Sequence, residues 1–276
     1  MINLFNYIDR PSPIHKLTGA TKLVCLILWS FAGMITYDTR ILILMPLISI
    51  VLFAVSKIRL RDVSFMLAAT AIFMILNNLM VYIFSLEYGC EIYGSRTVLL
   101  KIAGPYTITK EQLFYHLNLF LKYLSSIPII LLFLCTTNPS EFAASLNKIG
   151  VSYKISYSVA LALRYIPDIQ REYHDISQAQ QARGIEMSMK ESLGKRLKAA
   201  SAILIPLILS SMDRIEVISN AMELRGFGKN RKRTWYMARR FTGLDFAAMG
   251  LCAVLLIISA ADIAVMGSRF WNPFIR

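Results

Sequence analysis

The sequence predicts an all-α polytopic membrane protein with about five transmembrane helices and further long cytoplasmic helices. Three observations predict this fold class. The 276 residues are 56% hydrophobic with a mean hydropathy of +0.52, whereas soluble domains are about 45–50% apolar. The apolar residues fall into five segments, and the region between the fourth and the fifth is strongly basic.

Each of the five apolar segments is a candidate membrane span, because roughly 20 apolar residues cross a ~30 Å hydrocarbon core. The first two are short and only three residues apart, so they predict a tight helical hairpin. Residues 87–112 are expected to be a connecting loop. In the third segment, Asn77 and Asn78 are expected to tie helices together by hydrogen bonds. The five segments are 23–37, 41–55, 65–86, 117–136 and 246–266.

The distribution of basic residues predicts the orientation. Residues 138–242 hold 17 Lys/Arg against 9 Asp/Glu, and the loop 57–62 holds three basic residues against one acid. Because short basic loops stay in the cytoplasm, the N-terminus, this loop and 138–242 are predicted to be cytoplasmic and the C-terminus to lie outside. We therefore divide the chain into a four-span domain (1–137), a cytoplasmic domain (138–242) and a last transmembrane helix (243–276).

Two long helices are predicted inside the cytoplasmic domain. Residues 154–183 carry an apolar stripe with spacings of three and four, which is typical of an amphipathic helix. A kink is expected at Pro167. Residues 195–225 contain twelve apolar or small residues in a row, too few to span a bilayer but typical of an interfacial or buried helix. The stripe consists of Leu161, Tyr165, Ile169, Tyr173 and Ile176.

Each of the two predicted helices ends in an Arg-Gly pair. The stretches SQAQQARGIE and SNAMELRGFG align at an offset of 42 residues, which places Arg183-Gly184 on Arg225-Gly226. One interpretation is structural, because Gly ends a helix in the left-handed conformation and Arg complements the helix dipole. The other is functional, because a guanidinium at a fixed helix end can bind a carboxylate or carbonyl groups of a partner.

The paired motifs resemble the X-Arg-Gly motifs of the transmembrane T component of energy-coupling factor (ECF) transporters. They read Ala182-Arg183-Gly184 and Leu224-Arg225-Gly226. The resemblance covers most of the chain and is weakest across residues 40–115. Two other stretches carry it: PSPIHKLTGATKLVCLIL, with His15, Lys22 and Leu23, and TTNPSEFAASLNKIGVSYKISYSVALALRYIPDI, with Pro139, Arg164, Tyr165 and Pro167.

The resemblance implies a scaffold in the prokaryotic cell membrane that couples ATP hydrolysis to the uptake of a vitamin or metal ion. Two ATP-binding-cassette (ABC) ATPases, identical or different, would dock on the helix ends, one on Arg183 and the other on Arg225. A small membrane S component would bind the substrate and reorient across the bilayer. ATP and Mg²⁺ would be bound by the ATPases, so this chain is expected to have no cofactor and no catalytic activity.

The residues themselves exclude several other classes. The chain has no GxxxxGK[ST], HExxH or GxSxG motif, and its three histidines are isolated in the sequence. Nucleic-acid binding is not expected, because the basic run 229–240 precedes the last span and is typical of a cytoplasmic membrane anchor. A conventional ABC permease domain, which forms the substrate path itself, is the alternative; a membrane enzyme is a third possibility. Neither class explains two aligned Arg-Gly helix ends.

Overall fold

The computed structural model describes residues 10, 12–103, 106–185, 192–230, 234–235 and 239–274. They form two compact units, one from residues 1–138 with 239–276 and the other from residues 139–238. The helices are α1 (Pro13–Lys16), α2 (Gly19–Ile35), α3 (Thr39–Val55), α4 (Leu60–Phe84), α5 (Tyr88–Tyr93), α6 (Lys110–Thr136), α7 (Pro139–Lys148), α8 (Tyr153–Ala182), α9 (Leu193–Leu224) and α10 (Gly243–Met266), and one antiparallel hairpin joins β1 (Val98–Ala103) to β2 (Tyr106–Thr109).

Apolar helices lie at all five predicted span positions, which confirms the all-α membrane class. Helices α4, α6 and α10 are long and apolar enough to cross a bilayer. Helices α2 and α3 have 17 residues each, the lower limit for a span, since 17 residues rise only ~26 Å. The tight turn between them is confirmed: the Asp38 side chain caps α3 by accepting a hydrogen bond from the Arg40 backbone N–H.

The core of the first unit lies where α2 packs against α6 and α10 and where α3 packs against α6. Trp29 is 3% exposed and lies beside Ala32 and Met45 in this core. Its indole N–H donates to the carbonyl and the hydroxyl of Ser125, both at 3.2 Å. A buried indole needs such a partner in an apolar environment, so this contact fixes the rotation of α2 against α6.

Helix α4 contributes few side chains to this core, and most of its apolar residues are exposed. Phe73, for example, is 56% exposed and Ile75 is 70% exposed, which fits a surface facing lipid. The predicted asparagine ties are confirmed. Tyr123 of α6 donates to Asn77 at 2.9 Å, and His116 of α6 is hydrogen-bonded to Asn78 at 3.0 Å.

The sequence predicted a connecting loop at 87–112, and this prediction is wrong. The segment folds into α5 and the β1–β2 hairpin before α6 begins. The organising group is Glu111, whose fully buried carboxylate accepts hydrogen bonds from Ser95 and from the backbone and side chain of Thr97. These partners lie 14 and 16 residues away, so no local pattern predicted them.

The opposite end of the bundle is held by a buried carboxylate at the start of α10. Asp245 accepts the backbone N–H of Thr18 at 2.9 Å and both the N–H and the hydroxyl of Thr242 at 2.7 Å. Nearby, the buried Lys22 ammonium donates to the Thr136 carbonyl at the end of α6 at 2.8 Å. The bonds of Asp245 join the starts of α2 and α10, and the bond of Lys22 joins the start of α2 to the end of α6.

The second unit contains α7, α8 and α9. The two long helices predicted there are confirmed and extend over 30 and 32 residues. Pro167 and Pro206 lie inside these helices. Of the basic run 229–240, residues 231–233 and 236–238 lie outside the described part of the chain.

Replacing Asp245 by Ala is expected to destabilise the first unit. The change leaves the buried backbone N–H of Thr18 without its acceptor, at about 1–3 kcal/mol, and removes the capping bonds from the exposed Thr242. The melting temperature of the detergent-solubilised protein, followed by circular dichroism, should fall. Glu91→Ala removes an exposed carboxylate of the same unit and should change the free energy of unfolding by no more than about 0.5 kcal/mol. Equal melting temperatures for the two variants would contradict the structural role of Asp245.

Candidate functional site

The two Arg-Gly motifs lie at the C-terminal ends of α8 and α9, as the sequence predicted. Arg183 is the C-cap residue that directly follows α8, and Arg225 holds the same position after α9. Gly184 and Gly226 follow with φ angles of +83° and +67°. Glycine adopts this left-handed conformation without steric cost, whereas other residues do not.

Both helix ends form the same hydrogen-bonded cap. At the first end, Gly184 N–H donates to Gln181 C=O at 2.9 Å and Ile185 N–H donates to Gln180 C=O at 3.1 Å. At the second end, the equivalent bonds run from Gly226 to Glu223 at 2.8 Å and from Phe227 to Met222 at 2.9 Å. This pair of bonds is the Schellman motif, which satisfies carbonyls at the end of a helix.

The cap is built from backbone groups, so it leaves the side chains of both motifs available. All six motif residues are exposed, and Leu224 is 90% exposed. Within the part of the chain that the structure describes, neither motif guanidinium has an ion pair or a side-chain hydrogen bond. The structural and the functional interpretations of the motif are therefore compatible, because they use different atoms.

Helices α8 and α9 pack antiparallel, which the order of their contacts shows. Near the end of α8, Gln180 donates to the carbonyl of Ala202, early in α9, at 3.1 Å. Near the start of α8, the ring of Tyr157 contacts that of Phe227, just after α9, with centroids 4.9 Å apart. The structure therefore does not bring Arg183 and Arg225 together. It places them toward opposite ends of the hairpin, roughly 35–40 Å apart, because 26 residues at 1.5 Å each separate Tyr157 from Arg183.

An ion pair joins the two helices near their middle. The Glu172 carboxylate of α8 pairs with the Arg214 guanidinium of α9 at 2.5 Å and also accepts a hydrogen bond from Ser210. The hydrogen bond from Ser210 and the charge of Arg214 together hold the pKa of Glu172 below its ordinary value. No local sequence pattern indicates this group, since the partners of Glu172 lie 38 and 42 residues away.

The predicted stripe of α8 is only partly covered by α9. Leu161, Tyr165 and Ile169 line a groove of about 830 Å³ together with Ile215 and Ile218 of α9. Farther along α8, Tyr173 is 47% exposed. The prediction of an apolar face on α8 is therefore correct, but α9 covers only part of that face.

A second cavity adjoins the end of α9. It has a volume of about 550 Å³ and is lined by Arg225 together with Arg164, Tyr153, Tyr157, Phe227 and Trp235, among others. Arg164 belongs to one of the stretches that carry the family resemblance, but the sequence does not predict the cavity. Its aromatic residues are separated by about 80 positions, so no local pattern could have indicated that they meet.

The described residues contain no group of three or more His, Cys, Asp or Glu side chains that could hold a metal ion. The histidines instead have structural partners. His15 is hydrogen-bonded to Ser12 at 2.6 Å, and His174 to Gln178 at 3.0 Å. The third, His116, ties α6 to α4 as described above.

The amino-acid sequence is also similar to those of known proteins. The family described as "CbiQ: Cobalt transport protein" matches residues 10–236. The chain is similar to the "Energy-coupling factor transporter transmembrane protein EcfT" of several bacteria. It is 28% identical to that of Bacillus selenitireducens over 272 residues (96% of each chain) and 24% identical to that of Bacillus subtilis over 265 residues (92% of this chain, 94% of the relative). A relative from Leuconostoc gelidum is 29% identical over 170 residues, 59% of this chain and 63% of its own length.

Substituting Ala for Gly184 or Gly226 is expected to loosen the corresponding helix end, because a left-handed non-glycine residue costs about 1–2 kcal/mol. Hydrogen exchange of the Ile185 or Phe227 amide should then accelerate by about 5–30-fold, as followed by mass spectrometry. Gly194→Ala is the matched control, since a Cβ at Gly194 meets nothing within 4 Å and its φ is not left-handed. Unchanged exchange in both cap variants would contradict the role of these glycines.

Acidification should weaken the hairpin through Glu172. Its folded-state pKa lies below the ordinary 4.5. The carboxylate therefore contributes stability that is fully present above that value and is lost as the pH falls through the lower, folded-state pKa. The melting temperature of the wild type should exceed that of Glu172→Gln at neutral pH, and the difference should shrink below about pH 4.5. A difference that stays constant down to pH 3 would contradict this assignment.

Proposed function

The chain belongs to the CbiQ family of cobalt transport proteins, and from this premise we propose that it is the energy-coupling scaffold of an ECF-type ABC importer. It is a multi-pass transmembrane component of an ECF transporter in the cell membrane. In the proposal, two cytoplasmic ABC ATPases dock on the second unit. A small membrane S component binds a micronutrient, and this chain transmits movement between them without catalysing a reaction.

One observation carries the proposal: the α8–α9 hairpin exposes an arginine at each of its two ends, and neither has an ion pair among the described residues. Arg183 and Arg225 sit on identical caps, roughly 35–40 Å apart at 1.5 Å per residue. An exposed guanidinium on a fixed cap is suited to bind a carboxylate or carbonyl groups of a partner, because its donors form a planar fork. Two such sites at opposite ends of one rigid element suit two separate ATPases better than one.

The contacts within the hairpin support a role in transmitting movement. The Glu172–Arg214 ion pair and the Gln180–Ala202 hydrogen bond link α8 and α9 at separate points along their length. A displacement at one end is then passed to the other as a movement of the whole hairpin. A flexible loop in the same position would absorb the displacement locally.

The exposed apolar face of α9 supports a partner in or at the membrane. Ile205, Ile208, Leu209 and Met212 are each 55–60% exposed. Large exposed apolar patches mark interaction surfaces, and this one suits an S component together with the bilayer. Basic residues on the second unit favour a cytoplasmic location for it, and five spans then leave the C-terminus outside.

The cargo is specified by the partner in this proposal. The family description names cobalt, and vitamins are an equally acceptable cargo for such importers by the resemblance given above. A conventional permease, the alternative, would itself form the substrate path. Copurification distinguishes the two, because the scaffold should bring along two ATPase subunits and a separate small membrane protein.

Charge reversal at either motif is expected to weaken ATPase docking. Arg183→Glu and Arg225→Glu each remove a charge-assisted contact at the interface, which costs about 2–5 kcal/mol. The amount of ATPase recovered with the affinity-purified chain should fall in each variant and fall further in the double variant, while membrane insertion is unchanged. Arg196→Glu reverses an exposed charge near the start of α9 and is the control. Normal complex yield and normal uptake in all three motif variants would refute the assignment.

A further inference from the structure

The cavity beside Arg225 has the features of a binding site that the Arg-Gly motif alone does not explain. Both Arg164 and Arg225 line it and both are exposed. In the described ranges of the chain, neither side chain has an ion pair or a hydrogen bond. Two guanidinium groups on one cavity of about 550 Å³ repel each other, so the cavity attracts an anionic group that neutralises them.

The aromatic wall of the cavity is held in place by its own contacts. Tyr153 is 7% exposed and lies 5.3 Å from Phe227 and 6.1 Å from Trp235, measured between ring centroids. The Trp235 indole N–H donates to the Asn147 side chain of α7 at 3.1 Å. Phe227 is also the residue whose N–H completes the helix cap. The wall and the arginine are thus positioned by the same turn of chain.

We propose that this cavity receives an acidic side chain, aspartate or glutamate, of the ATPase that docks on the Arg225 end, and that Arg164 is a second cationic contact for that carboxylate. The inference rests on the proposed function, which it extends from the motif to a defined receptor site. Arg164 lies on α8 and Arg225 follows α9, so the incoming carboxylate bridges the two helices. Docking then also stabilises the hairpin at this end.

The composition of the surroundings favours a protein partner over a lipid headgroup. Arginine, tyrosine and tryptophan are the residues most enriched at the energetic centres of protein interfaces, and all three line this cavity. Leu224, 90% exposed beside Arg225, adds an apolar contact that a charged headgroup would not need. The fork of an arginine matches the geometry of a carboxylate.

The test uses the full transporter complex and a photo-crosslinking amino acid at two exposed positions, one near each end of the hairpin. Ala179 reports on the Arg183 end and Lys229 on the Arg225 end. Arg164→Gln should lower crosslinking of the ATPase from position 229 by about tenfold and leave crosslinking from position 179 unchanged. Arg164→Lys keeps the charge but not the fork, so it should give an intermediate yield. Arg171→Gln, on the same helix but not on the cavity, should give the wild-type yield.

The outcomes separate this inference from the proposed function. Suppose that Arg183→Glu abolishes crosslinking from position 179 and Arg225→Glu abolishes it from position 229, but Arg164→Gln changes neither. The docking proposal then stands and the proposed receptor site is wrong. If none of these variants changes crosslinking, the docking proposal itself fails. If Arg164→Gln leaves crosslinking intact but reduces the phosphatidylglycerol retained by the purified complex, measured by mass spectrometry, the cavity holds a lipid headgroup and the inference is overturned.

Discussion

The antiparallel pairing of α8 and α9 is the constraint on which the candidate site depends. A partly buried ion pair, Glu172 with Arg214, fixes the pairing near its middle with help from Ser210. Because the helices run in opposite directions, their identical C-terminal caps point away from each other. A parallel arrangement of the same two sequences would place both arginines at one end, where they would repel each other and serve only one partner.

The Arg-Gly motif combines two requirements in three residues. Glycine supplies the left-handed turn, and the backbone then satisfies its own carbonyls through the Schellman bonds. The cap does not need the arginine side chain, which remains exposed. The backbone hydrogen bonds of the cap fix the position from which that side chain extends. In our proposal the backbone forms the cap and the side chain binds the partner, so the helix end acts as a docking site without loss of helix stability.

Polar groups in the first unit join its helices to one another. Asn77, Asn78 and Trp29 all bind partners on α6, and the buried Asp245 binds the start of the first span. Without water in the bilayer core, such groups must find partners within the protein. Because these groups are satisfied by neighbouring helices, they hold the bundle together. That arrangement suits a scaffold, which in our proposal leaves the substrate to another subunit.

The sequence by itself determined the membrane class, the five apolar helices and the ends of α8 and α9, because hydrophobic length, helical periodicity and a glycine after an arginine are local signals. Tertiary structure decided the features that local signals do not predict. The partners of Glu111 and Glu172, the hairpin at 98–109 and the cavity at Arg164 and Arg225 depend on side chains that meet only after folding. Most important, the direction of α9 against α8 sets the separation of the two arginines, and it follows from contacts between residues tens of positions apart.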